Sequence, residues 1–248
     1  MNGWTADNVS RTAAIFTNSG ESPSLDAAHQ RLNSLVLQVA VGDVADNRTL
    51  QAAVLTIVNS GVRAFLGGVR VQIATDTALK TGWCHGAPLS DAVASFGGHV
   101  VEALEPDYPT VCVGEQRAGV VGRPVLRAAA SGWSGGVVEG PHAPFVEADV
   151  FAPAGIAAGG VAVAEAFEFV RGSNVYAGRR GHGVSLWSPG EPWTSGAAIG
   201  PDDVAYAPAA WWLVGLGHLG QGYLWSIGML DFAAPDKVRV LLQDDDEL

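Results

Sequence analysis

"WWLVGLGHLGQGYLWSIGMLDFAAPDKVRVLLQDDDEL", Trp211 to Leu248, decides how this chain is read. Leu213 and Val214 end a short apolar run of strand character, and Gly215, Gly217 and Gly220 follow at G-x-G-x-x-G spacing. Leu219, Tyr223, Ile227 and Leu230 then recur at helical intervals. Pro235-Asp236-Lys237 makes a charged turn into a second strand, Val238 to Leu242, and Asp244-Asp245-Asp246 closes it. In such a unit the first Gly permits a tight turn, the second lets backbone N–H groups approach a phosphate, and the third lets the helix pack close to the strand. The helix N-terminus adds unpaired N–H groups and a partial positive charge. Asp244 follows Gly220 by 24 residues, where an acid can accept hydrogen bonds from ribose hydroxyls. G-x-G-x-x-G alone is a weak signal in a chain with 32 Gly, so the flanking strand, helix and acid carry the specificity. The candidate nucleotide-binding residues are therefore Gly215, Gly217, His218, Leu219, Gly220, Asp244 and Asp246, with His218 read as a tolerated loop position rather than a base. The competing reading is a Gly-rich crossover that holds no ligand.

Composition narrows the function classes. The chain has 248 residues, 48% hydrophobic and only 16% charged, which suits a large buried core. The net charge of −11, with Lys only at positions 80 and 237, argues against a nucleic-acid surface and against an anionic membrane surface. Cys84 and Cys112 are too few for a four-thiolate metal site and do not form a secreted disulfide framework. The opening "MNGWTADNVSRTAAIF" lacks the apolar core of a signal peptide, so the expected compartment is the cytoplasm. Val150 to Val170 is apolar but built from Ala and Gly and interrupted by Pro153, Glu165 and Glu168. It reads as a buried, close-packed crossover helix rather than a membrane span.

The chain order reads as α/β. A helix is expected around Ser24 to Leu35, a strand at Leu35 to Gly42, a helix carrying Leu50, Val54, Ile57 and Val58, and a strand at Val69 to Asp76. "LSDAVASFGG" reads as a short helix capped by Ser90. "HVVEAL", "TVCVGE", "RPVLRAAASGWSGGVVE" and "GVSLWSP" read as strands. Such alternation implies a Rossmann-like three-layer fold, a mostly parallel sheet with helices on both faces, followed by a C-terminal βαβ nucleotide-binding unit. The expected division is an N-terminal arm and α/β domain over 1–187, a Gly- and Pro-rich linker over 188–203, and the βαβ unit over 204–248.

The first strand–turn–helix unit has the same outline as the last, but its turn "GDVADN" carries one Gly and two carboxylates, Asp43 and Asp46, that would repel a phosphate. Either the chain holds an internal repeat with one decayed copy, or two unrelated βαβ units look alike. Other candidates are weaker. Cys84-His85 and Cys112 suggest a thiol nucleophile but fit buried structural thiols better. "GWSGG" around Ser134 misses the spacing of a nucleophile elbow and reads as a bend. Arg171, Arg179, Arg180 and His182 form the one local cationic cluster, suited to a phosphate or to a solvated loop. No catalytic residue is identifiable.

On these residues the chain resembles the ubiquitin-activating, ThiF-like superfamily of adenylating enzymes, in tandem bacterial forms that pair a degenerate half with an intact one. Gly215, Gly217 and Gly220 match the loop, Asp244 and Asp246 match the D-x-D pair, and "NSGV", Asn59 to Val62, and Pro153 to Val170 add diffuse likeness. The specific part covers the C-terminal stretch only. The resemblance implies ATP as cofactor, adenylation of a protein C-terminal carboxylate, a ubiquitin-like or other small protein as partner, and a possible homodimer. The Asn, Arg and Lys that follow D-x-D in the family, and its magnesium-binding Asp, have no counterpart here, so the resemblance implies an incomplete, non-catalytic portion of an adenylyltransferase. NAD, in an oxidoreductase, is the alternative cofactor, since Asp244 suits a free 2′-hydroxyl equally. A partner-binding scaffold without catalysis is the third reading.

Overall fold

The computed structural model describes residues 6–116, 119–142, 145–202, 207–232 and 234–245. Seven strands form one sheet: β1 (Val36–Val41), β2 (Gly68–Ile73), β3 (His99–Val100), β4 (Thr110–Val113), β5 (Val125–Ser131), β6 (Ser134–Glu139) and β7 (His182–Ser185). Their order is β3-β2-β1-β4-β5-β6-β7. β3 to β5 run parallel, and β6 and β7 are added antiparallel. The helices that flank it are α1 (Ala6–Asn18), α2 (Leu25–Ser34), α3 (Arg48–Ala64), α4 (Leu89–Ser95) and α5 (Ala152–Arg171).

The two faces of this sheet differ. Leu37, Val39, Val41, Val69, Val71, Val111, Val113, Leu126, Ala128 and Val137 share the aliphatic face by register, and all are buried. α3 and α5 cross each other against it. The opposite face carries Gln38, Thr110 and Arg127, and loops rather than apolar side chains satisfy them. The Gln38 amide exchanges two hydrogen bonds with the Glu105 backbone at 2.7 Å each, Thr110 Oγ1 donates to the Val121 carbonyl, and Arg127 pairs with Glu147 at 2.7 Å. Burial pushes the Glu147 carboxyl up against the opposing pull of Arg127.

The Ala- and Gly-rich stretch forms α5, and its small residues explain the close packing. Ala154, Gly155, Ala158, Gly159 and Ala162 are buried. A Cβ at Gly155 would lie 1.8 Å from the Thr49 carbonyl oxygen of α3. By length and composition α5 is apolar enough to cross a membrane, but its buried face packs on α3, β5 and β6. It joins β6 to β7, which are antiparallel neighbours, so it is not a crossover between parallel strands.

Two local expectations change. Ser90 does not cap α4; Pro88 holds the cap position, and the Ser90 amide and hydroxyl both donate to Asp76, at 3.0 and 2.6 Å. "HVVEAL" contributes only two strand residues, because the chain then leaves the sheet and its Glu102 and Glu105 backbone groups bond to Gln72 and Gln38 side chains. The Gly- and Pro-rich run after β7 is tied back onto the sheet: the Ala198 carbonyl accepts from Ser134 and Ser185, and the Ile199 carbonyl accepts from the Trp133 amide.

The last unit is β8 (Ala210–Val214), α6 (His218–Gly228) and β9 (Arg239–Gln243), with β8 and β9 parallel in a sheet of their own. Leu219 and Tyr223 are exposed and Leu230 lies past the helix end; Gly220, Trp225 and Ile227 are the buried residues of α6. The helix turns this other face because it docks on the first sheet's helices. Trp225 Nε1 donates to Thr56 Oγ1 at 2.9 Å, and its ring meets Phe96 edge-on. Arg48 pairs with both Asp149 and Asp231, and Thr81 Oγ1 meets the buried Met229 sulfur.

Candidate functional site

The loop between β8 and α6 places its three glycines in three different environments. Gly215 has φ +84°, a left-handed conformation that turns the chain sharply at the end of β8. Gly220 packs against that turn; a Cβ there would sit 1.9 Å from the Gly215 carbonyl oxygen. Gly217 precedes α6, and a Cβ on it would meet nothing within 4 Å. A turn, an open approach and a close contact are the three roles the spacing requires. No side chain caps α6 at Gly217, so the first-turn amides are left without intrahelical acceptors.

The acid lies beside this loop. An Asp244 carboxylate oxygen accepts the Leu216 amide, and the Gln243 carbonyl accepts the Gly215 amide. Asp246 lies outside the described residues. His218 opens α6 and lines a cleft of about 410 Å³ with Asn59, Ser60, Arg63, Gln221 and Trp225. Leu219 is 77% exposed and makes no wall of it. Gln221, which sequence reasoning passed over, grips the loop: its Nε2 donates to the Leu216 carbonyl at 3.2 Å, and its Oε1 accepts from Arg63 of α3 at 3.3 Å. The signal was present, a lone polar amide in the apolar run "LGQGYLW".

The corresponding crevice of the first unit is closed by the chain itself. β1 lies between β2 and β4, so the switch in winding direction falls between the ends of β1 and β4, where open α/β sheets bind ligands. Here Asp43 bridges to Glu115, and a Cβ at Gly42 would lie 2.0 Å from the Glu115 carbonyl oxygen. The Gln116 side chain fills the gap, donating to the Ala40, Val113 and Gly114 carbonyls at 3.0–3.1 Å. The α3 N-terminus is also taken. Asn47 accepts the Leu50 amide, and the Asp149 carboxylate accepts the Thr49 amide and hydroxyl at 2.9 and 2.8 Å. A carboxylate of the protein thus stands where an anionic ligand would stand. Burial pushes the Asp149 carboxyl up, but the bonds from Thr49 and Arg48 outweigh it and hold it below its ordinary value. Asp46, the other acid of the turn, pairs with Lys80.

The remaining candidates serve the fold. Arg180 donates to buried Glu165 at 3.0 Å, with His182 Nε2 3.5 Å from the same oxygen and the Gly178 amide on the other. Arg171 binds Glu21 and Glu168. Arg171, Arg180 and His182 of the cationic cluster are therefore turned onto the chain's own carboxylates, while Arg179 is exposed. Ser134 donates to the Ala198 carbonyl, after a turn at Gly132 with φ +58°. Cys112 is buried in β4, and burial pushes its thiol up to about 12; burial also raises the half-buried Cys84.

Residues 36–186 match the model of the BilD N-terminal domain, and residues 207–248 match that of the BilD C-terminal domain. The chain is 32% identical over 247 residues to the Bacterial E1-like protein BilD of Collimonas sp. (strain OK412). That match covers 96% of the chain and 52% of the relative, so the chain spans about half the length of the curated relative it matches. The closed first crevice and the open glycine loop thus sit in two matched segments of one kind of protein, and the chain belongs to the BilD family.

Proposed function

We propose that residues 215–220 and Asp244 form a nucleotide site, with ATP as its ligand, in a ThiF-type, E1-like protein of the cytoplasm. The observation that carries this reading is the Gly217 position: an open approach at a helix start, between a turn glycine and a packing glycine. The amides of residues 217–220 would face the phosphates, and Asp244, already beside the loop, would take the ribose hydroxyls. Bound ATP would supply an α-phosphate for attack by a carboxylate oxygen, which forms the acyl adenylate as the α–β bond breaks and pyrophosphate leaves. As the resemblance to the adenylating superfamily implies, the carboxylate would be the C-terminus of a ubiquitin-like or other small protein, and the whole protein, not this stretch alone, would adenylate it, as a monomer or a homodimer. The closed first crevice supports an assignment of any nucleotide to the last unit.

Titration calorimetry with ATP, ADP and NAD tests the reading. Gly217→Val puts a branched side chain into the approach and should abolish binding while the first sheet stays folded. Asp244→Ala should weaken binding by about 1–3 kcal/mol, the cost of losing charge-assisted hydrogen bonds. Unchanged affinity in Gly217→Val sinks the site, and tighter NAD than ATP replaces the adenylating reading with a dinucleotide one.

A further inference from the structure

At the end of α6 away from the glycine loop, the junction between the two sheets encloses a cavity of about 220 Å³, far more than the roughly 30 Å³ share of one water. Its most buried lining residues are Thr81 and Met229, each 1% exposed, and Phe151 and Leu230 add apolar wall. Asp202 and Asp231 line it from exposed positions, so they stand at its mouth. Among the described residues the Thr81 hydroxyl has one partner, the Met229 sulfur at 3.7 Å. A thioether is a weak acceptor, and a buried hydroxyl ordinarily has a full partner. The Thr81 oxygen also accepts from no group among the described residues, so it borders the cavity as an unused acceptor.

We propose that this cavity binds a small organic ammonium ion: the charged group sits between Asp202 and Asp231, the carbon chain lies on Phe151, Met229 and Leu230, and a second donor reaches the Thr81 oxygen. Charge selects a cation. The lining sets the carboxylates of Asp149, Asp202 and Asp231 against one guanidinium, that of Arg48, which Asp149 and Asp231 already share. Asp202 has no ion pair among the described residues. The start of α5, which also lines the cavity, offers little to an anion: Pro153 has no N–H, and the Ala154 amide donates to the Phe151 carbonyl at 2.8 Å. A bare metal ion does not fit, since no group of three or more acids, histidines or cysteines among the described residues is close enough to hold one. The apolar wall suits a carbon chain instead. Arg48, Thr81 and Phe151 belong to the first sheet's part of the chain, whereas Met229, Leu230 and Asp231 follow α6, so the ligand ties the two together. The proposal does not depend on nucleotide binding.

The test titrates the full 248-residue chain with 1,4-diaminobutane in a calorimeter, with 1,4-butanediol as the neutral counterpart and magnesium chloride as the inorganic one. The diamine should bind at one site and raise the melting temperature, and the diol should bind at least about tenfold more weakly. Asp202→Asn, at an exposed position, should weaken the diamine at least about fivefold; Thr81→Val, which keeps the shape and removes the hydroxyl, should weaken it about fivefold as well. Circular dichroism should show Asp202→Asn folded as the parent, so the test stands even where Thr81→Val disturbs the junction. Diamine binding unchanged in Asp202→Asn means a diffuse attraction to an acidic chain and overturns the site. Equal binding of the diol, displacement of the diamine by equimolar magnesium, or no diamine binding at millimolar concentration overturns it too.

Discussion

Asp149 reaches its partners from 100 residues away in the sequence, which is why no local pattern announces it as the cap of α3. Its carboxyl is held below the usual 3.8, so its contribution to stability is present above that value and is lost as the pH falls through the lower folded value. Asp149→Ala should cost about 1–2 kcal/mol in denaturant unfolding at neutral pH, in the range of lost helix caps. Asp149→Asn should keep most of that stability and flatten its loss below about pH 4. A variant as stable as the parent would show that Asn47 alone satisfies the helix. At this same scale the glycine loop was legible, because each of its glycines answers a purely local demand. Gln116 was not, because the Ala40 carbonyl it reaches lies 76 residues away, and Gln221 showed only as a polar residue in an apolar run, since its partner Arg63 lies 158 residues away.

α5 was readable as a buried helix from its small residues and two isolated acids, but not the identity of the residues that touch. Two of its glycines face opposite ways. A Cβ on Gly155 would strike the Thr49 carbonyl of α3, whereas one on Gly160 would meet nothing within 4 Å. Gly155→Ala should therefore force the helices apart and cost about 1–3 kcal/mol or more, while Gly160→Ala should stabilise by about 0.5–1 kcal/mol through helix propensity. Thermal melts of the two variants should move in opposite directions, and a shared direction would contradict the crossing. α6 was misread at its face for the reverse reason. Leu219, Tyr223, Ile227 and Leu230 have the spacing of a core stripe, yet of these four only Ile227 is buried, and the residue that docks is Trp225, whose partners Thr56 and Phe96 belong to another part of the chain.

For the molecule, alternation of strands and helices pointed to the parallel sheet, while the antiparallel extension by β6 and β7 rested on a hairpin turn at Gly132 that periodicity does not distinguish from a longer strand. The junction between the two sheets depends on Trp225, with Met229 and the Arg48–Asp231 pair beside it. Trp225→Ala should remove about 3–5 kcal/mol of packing there and loosen β8–α6–β9 before the larger sheet. Hydrogen exchange should then quicken at residues 210–243 and stay slow in β1 and β4; uniform quickening would mean that the two sheets open as one. The occupied crevice between β1 and β4 has a numerical corollary. Among the described residues, Asp149, Gln116 and the Asp43–Glu115 bridge fill the crevice between the ends of β1 and β4 with the chain's own groups. A titration of ATP into the chain should therefore show a single step with one ligand per chain, and a second step of similar affinity would place another site outside the loop after β8.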